Sequence, residues 1–119
     1  MVFEVVLSER SLDDLFAIWR YIAESSGSLR ADEVDERLRA ACLRLADFPH
    51  RGTPRDDLEP GLRSIPLRRH ATIYYRITDT WVEIVRVLYA GSDALQEFKG
   101  QSGLRLHEPV TPPPSATPQ

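Results

Sequence analysis

Apolar and polar positions follow two rhythms along this chain. Val2–Leu7 is a short β-branched and apolar run, the pattern of a strand. Ser8 or Ser11 can cap the helix that follows. Beyond them Leu12, Leu15, Phe16, Trp19, Ile22 and Ala23 recur at helical spacing, which predicts that they share one buried face. Gly27 predicts the stop, because glycine enters the left-handed conformation without strain. Ser28 begins a second helical pattern whose stripe is Val34, Leu38, Ala41, Leu45 and Phe48. Asp32 and Glu33 are expected in its first turn, where the helix dipole favours negative charge, and Pro49 is expected to end it. Two helices joined by about three residues form an antiparallel hairpin.

The rhythm then changes to that of strands. His50 to Pro60 reads as a polar connector containing Gly52, Pro54 and Pro60. Leu62–Arg68, Ala71–Thr78 and Trp81–Ala90 are strand candidates, the last two separated by a tight Asp79–Thr80 turn that favours antiparallel pairing. Pro66 cannot donate to a ladder, which places the first of the three at an edge. Trp81–Ala90 is apolar on both faces apart from Glu83 and Arg86, as expected of a central strand. Tyr74 and Tyr75 point to opposite faces of their strand; one is expected in the core and the other is available as a contact. The expected fold is α+β: an N-terminal strand and an antiparallel helix hairpin packed on a mainly antiparallel sheet of about four strands. Residues 1–98 are expected to form one domain. Five of the nine prolines fall between Pro109 and Pro118, so residues 99–119 are expected to be a flexible Pro-rich tail.

Composition narrows the function. A chain of 119 residues is enough for one core without a metal or disulfide. The single cysteine, Cys42, has no partner in the chain and lies in the second helical pattern, where it reads as a small buried apolar residue and not a nucleophile. No signal-peptide pattern and no apolar run of about 20 residues is visible, so a cytoplasmic protein without direct membrane contact is expected. A formal charge of −3 argues against a generally basic nucleic-acid binder. The charge is uneven: residues 1–47 hold ten acidic and six basic side chains, whereas residues 60–78 hold four arginines and no acid. No metal-ligand spacing and no phosphate-binding glycine loop is present, so no cofactor is expected.

Three segments together are more specific. "LSERSLDDLFAIWRYIAE" resembles the first strand end and first helix of the ParE/RelE toxin superfamily. "LADFPHRGTPRDDLEPGLRSIPL" resembles its hinge, where a helix gives way at a Pro, a Gly-containing loop follows, and Gly-Leu-Arg opens the next strand. "IYYRITDTWVEIVRVLYAGSD" resembles its paired last strands, though ParE-like chains often close that strand with a His and a nearby Arg, and here it reads Tyr89-Ala90-Gly91-Ser92-Asp93. The resemblance covers residues 2–98 and implies a toxin of a type II toxin–antitoxin system, neutralised by a ParD-like antitoxin encoded nearby. It implies one of two activities: inhibition of DNA gyrase by binding, or ribosome-dependent mRNA cleavage.

Chemistry separates the two branches. Cleavage through the RNA 2′-hydroxyl needs a base, a cation for the phosphate and an acid. Arg63, Arg76 and Arg86 could supply the cation and Tyr89 a proton, but arginine stays protonated and cannot be the base. Lys99, His50 and His70 lie outside the strand set. An acidic total charge also suits a ribosome-docking enzyme poorly. The expected activity is therefore gyrase inhibition, with nucleic acid met only indirectly. The alternatives are an mRNA endoribonuclease using Arg63, Arg86 and Tyr89, and an inactive relative that only binds antitoxin. Candidate target- or antitoxin-binding residues are Arg63, Arg68, Arg69, Tyr74, Arg76, Arg86 and Tyr89. Structural readings stand beside these: Arg63 and Arg86 as ion-pair partners of Glu83 or Glu97, and Arg68 and Arg69 as a solvated pair.

Overall fold

A computed structural model of the chain describes residues 3–67 and 71–99. Arg68, Arg69, His70 and the Pro-rich segment lie outside the described residues. The elements run β1 (Glu4–Leu7), α1 (Glu9–Ser26), α2 (Ser28–Arg44), a 3-10 turn (Pro49–Arg51), β2 (Thr53–Pro54), β3 (Leu62–Leu67), β4 (Ala71–Ile77) and β5 (Trp81–Tyr89). They form a five-stranded sheet in the order β1-β5-β4-β3-β2. β1 pairs with β5 in parallel and the other neighbours are antiparallel. This is the expected α+β arrangement with one strand more than expected, because the connector contributes the two residues of β2.

Ser8 fixes how α1 leaves the sheet. Its side chain accepts the Ser11 amide and donates to the Val85 carbonyl, both at 3.0 Å, while its own amide bonds to the Ile84 carbonyl. The helix is thereby capped and tied to β5 by one residue. Its buried positions are Ser11, Leu15, Ile18 and Ile22. This differs from the stripe predicted from the apolar pattern. Leu12 and Phe16 are exposed, Phe16 at 60%. The apolar arc of α1 is wider than the surface the sheet can cover, and small Ser11, whose hydroxyl is satisfied by the Ser8 carbonyl at 2.7 Å, takes the closest approach.

Gly27 alone links the helices. At φ 93° it ends α1 through a bond to the Ala23 carbonyl, and its own carbonyl accepts the Ala31 amide of α2. The predicted three-residue link is thus a single residue, and α2 starts early enough that Asp32 and Glu33 fall beyond its first turn. Asp32 instead accepts the Trp19 indole N–H at 2.8 Å, bracing the hairpin. α2 buries Ala31, Val34, Leu38 and Cys42. It ends at Arg44, and Pro49 opens the separate 3-10 turn. Phe48 therefore loses the helical phase that would have buried it and is exposed.

The helix hairpin covers one face of the sheet, against Ala71, Ile73, Tyr75, Val82, Ile84 and Val87. Tyr75 is fully buried there. Its hydroxyl donates to the Pro49 carbonyl at 2.7 Å and accepts the Gly52 amide at 2.9 Å, which anchors the connector. A methyl group at Gly52 would collide with that hydroxyl and with the Ser64 carbonyl, so only glycine fits. Leu62 uses both its amide and its carbonyl toward the connector, through Glu59 and Arg55. β3 is not the edge strand that Pro66 suggested, because β2 pairs outside it. β2 reaches only Arg63 and Ser64, so the missing donor of Pro66 falls beyond it and leaves no ladder bond unmade. β5, flanked by β1 and β4, is the central strand its sequence predicts. The opposite sheet face carries a second, smaller cluster of Leu62, Tyr74, Val85, Leu88 and Phe98. Tyr74 and Tyr75 do point to opposite faces, yet both are buried, because each face has its own cover.

Two outcomes follow from this packing. Leu15→Ala should lower stability by about 2–5 kcal/mol, whereas Phe16→Ala should shift it by no more than about 0.5 kcal/mol, read from urea denaturation. Burial pushes the Cys42 thiol up from 9.0 to about 11, with Arg39 pulling it slightly back. The unfolded chain gives up this proton first, so stability falls as pH rises from about 9 toward 11. That loss should be absent in Cys42→Ala. Iodoacetamide at neutral pH should leave folded protein unmodified and label urea-unfolded protein.

Candidate functional site

The candidate site forms where β1 stops and β5 continues. β1 pairs as far as Leu7 opposite Ile84, leaving the last five residues of β5 without a strand on that side. Side chains from the start of α1 take the place of the missing ladder. Ser8 meets the Val85 carbonyl, and Asp14 Oδ2 accepts the Val87 amide at 2.9 Å. A bulge lies at the same point: Tyr74 pairs with Arg86 and Tyr75 with Ile84, so Val85 is the extra residue. A bulge re-aims the side chain beside it, and Arg86 meets Asp14 in a two-pronged contact, Nε to Oδ2 at 2.7 Å and Nη2 to Oδ1 at 2.8 Å.

Arg86 is 4% exposed, an unusual place for a charge. Glu97 adds a second carboxylate, 3.4 Å from Nη2. Burial pulls the Arg86 pKa down, but the bonds and fields of Asp14 and Glu97 more than offset this, so the guanidinium is held above its ordinary value. The side chain is therefore a permanent cation already matched by carboxylates. It also lines an open cleft of about 280 Å³ with Asp14, Tyr21, Tyr89, Ser92 and Glu97. Tyr89 is half-buried there, its ring 5.3 Å from that of Tyr21 at a 58° tilt.

The other arginines singled out in the sequence do not join this cleft. Arg76 pairs with Glu59 and Glu83, acids that lie just outside the acid-free stretch. Arg63, one residue along β3 from the partner of Arg76, points to the helix-hairpin side. Its Nη2 donates to the His50 carbonyl at 3.0 Å, and its Nε is buried with no partner among the described residues. Tyr74 lies under Phe98, with ring centres 5.2 Å apart. Arg86 and Tyr89 are thus brought together, while Arg63, Tyr74 and Arg76 are distributed over both sheet faces. Among the described residues no group of three or more His, Cys, Asp or Glu side chains is placed to hold a metal ion, and no helix is long and apolar enough to cross a membrane.

Sequence reasoning named Glu97 as a partner of Arg86 but missed Asp14. A signal for it existed. An arginine within the apolar stretch Ile84–Tyr89 of an interior strand requires a buried carboxylate from elsewhere, and Asp14 sits between Ser11 and Ile18 on the buried flank of α1.

The fold has a close counterpart in a chain of the chromosomal ParDE TA system from P. aeruginosa, with a TM-score of 0.67 at 19% identity over 75% of this chain and 97% of that one. The chain is also 33% identical over 88 residues to the toxin ParE1 of Caulobacter vibrioides, covering 74% of this chain and 90% of ParE1. To the toxin ParE3 of the same organism it is 33% identical over 75 residues, covering 63% of this chain and 74% of ParE3. Residues 5–94 match the family described as the ParE toxin of the type II toxin–antitoxin system parDE. The chain belongs to the ParE toxin family.

The Asp14 junction is open to direct measurement. Asp14→Ala strands a buried guanidinium and a strand amide, and should cost about 3–5 kcal/mol in chemical denaturation. Arg86→Met in the same chain should recover part of that loss, because an apolar pair of similar volume leaves no charge buried alone. Losses that simply add in the double variant would show that the two side chains are not coupled.

Proposed function

We propose that this chain is a toxin that inhibits DNA gyrase by binding it, and that a ParD-like antitoxin encoded nearby neutralises it. Membership of the ParE family supports the toxin and antitoxin parts of this reading. The observation that supports contact over catalysis is the state of the strand arginines. Arg86 is held by Asp14 and Glu97, and Arg76 by Glu59 and Glu83. Cations engaged in this way have little left to offer a phosphate in a transition state. Tyr89 stands beside Arg86, but among the described residues no carboxylate or imidazole of the cleft is left uncommitted to act as the base that 2′-hydroxyl attack needs: the acids there, Asp14 and Glu97, both hold Arg86. The candidate contact surface is the neighbourhood of the cleft, where Tyr21, Tyr89 and Glu97 are reachable from solvent, together with Arg63 and Arg76 on the sheet; Arg68 and Arg69, outside the described residues, stay in the proposal from the sequence alone. Exposed tyrosines and arginines are the side chains that most often anchor protein interfaces.

Purified protein added to a gyrase supercoiling reaction and to a translating extract tests this. Supercoiling should fall with toxin concentration, the extract should show no ribosome-dependent mRNA cuts, and the product of the adjacent reading frame should restore supercoiling. Cleaved mRNA with supercoiling intact would reverse the assignment in favour of a ribonuclease. Antitoxin binding with neither effect would assign the chain as an inactive relative.

A further inference from the structure

The open cleft beside Arg86 has a shape and a charge that the Asp14 junction does not use. Asp14 and Tyr21 line it from α1. They are seven residues apart, so they share one helix face across a rise of about 10 Å. Asp14 marks the buried end of that face and Tyr21, 58% exposed, the outer end. There the Tyr21 ring meets the ring of Tyr89 from β5.

The charge in the cleft does not cancel. Asp14 and the Arg86 guanidinium balance each other through contacts of 2.7 and 2.8 Å. Glu97 is the surplus, one negative charge. It lies 3.4 Å from Arg86 Nη2 and keeps 45% of its side chain in solvent. A carboxylate offers about four lone-pair sites, so Glu97 can still accept from a donor entering the mouth. An anion has no comparable place, because Arg86 is almost wholly buried behind two carboxylates. Aromatic ring faces attract cations. A guanidinium suits this mouth better than an ammonium, since it stacks flat on a ring while its edge pairs with a carboxylate. The volume of about 280 Å³ lies at the low end for ligand pockets, which suits one long side chain.

Resting on the contact reading above, we propose that this cleft is the socket for an arginine side chain of the protein that the toxin inhibits. The guanidinium lies against the Tyr21 and Tyr89 rings and pairs with Glu97. Its methylene stem covers the apolar lining at Ile18 and Val87. The socket selects by charge: lysine binds more weakly, and an acidic side chain is repelled by Glu97 and Asp14.

The test uses the full-length chain with ring-labelled tyrosine, followed by NMR as N-acetyl-arginine methylamide is added. The chain has four tyrosines. The Tyr21 and Tyr89 signals should shift saturably, while the buried Tyr74 and Tyr75 stay still. Tyr74, packed on Phe98, also reports that the segment carrying Glu97 remains in place. Tyr21→Ala and Glu97→Gln should each weaken binding of the probe about two- to fivefold. The norleucine and glutamate analogues should give no saturable shift. Shifts of equal size with norleucine, shifts in all four tyrosines, or no shift at all would overturn the socket. In a gyrase supercoiling assay the same two variants should need more protein for the same inhibition. Unchanged inhibition by variants that bind the probe weakly would overturn the target as the source of the arginine. The probe measurement needs no gyrase, so a failure of the gyrase reading is seen separately, as unmodified chain that leaves supercoiling intact.

Discussion

The carboxylate of Asp14 takes the hydrogen bonds of the Arg86 guanidinium and of the Val87 amide at the point where the short parallel strand β1 has run out. Each of those groups is costly to bury alone. One side chain on the second turn of α1 resolves both, and it can do so only because Ser8 fixes the helix start against Val85. The register of the helix hairpin on the sheet, the bulge in β5 and the placement of a buried cation are thus parts of one arrangement. A shift of α1 by a single residue would carry Asp14 about 100° around the helix and leave Arg86 and Val87 unmatched.

Around that junction the two sheet faces are covered very unequally. The hairpin supplies long apolar stripes, Leu15, Ile18 and Ile22 from α1 and Val34, Leu38 and Cys42 from α2. The opposite face carries the smaller cluster in which Phe98 packs among Leu62, Tyr74, Val85 and Leu88, its ring edge-on to that of Tyr74. Arg86 is common to both regions, since Asp14 reaches it from the hairpin side and Glu97 from the segment after β5.

The antiparallel pairing of β4 with β5 and the interior place of β5 were legible in the sequence, the first from the tight Asp79–Thr80 turn and the second because a run that is apolar on both faces must be covered on both; the parallel docking of β1 on β5 was not. The glycine stop at Gly27, which a positive φ requires, was also legible. The helical phases were less legible. Leu12 and Phe16 are as apolar as Leu15, and periodicity cannot say which part of a wide apolar arc the sheet will cover. Phe48 kept the α2 spacing in sequence, but the helix ends at Arg44 and the spacing has no meaning beyond that. The candidate arginines were legible as residues and not as a cluster. Alternation puts Arg63 and Arg76 on opposite faces, and the acids that match Arg76 and Arg86 come from the connector, the neighbouring strand, α1 and the segment after β5. Pairings of that kind are set by tertiary contact, not by spacing.

The arginine content of the strands can also mislead in isolation. Four arginines without an acid between residues 60 and 78 suggest a basic surface, yet the folded chain matches Arg76 with two acids from outside the stretch. A cation already matched in this way gains little from long-range attraction to phosphate. Such a surface can still recognise a protein, because recognition then depends on shape and on aromatic anchors more than on net charge.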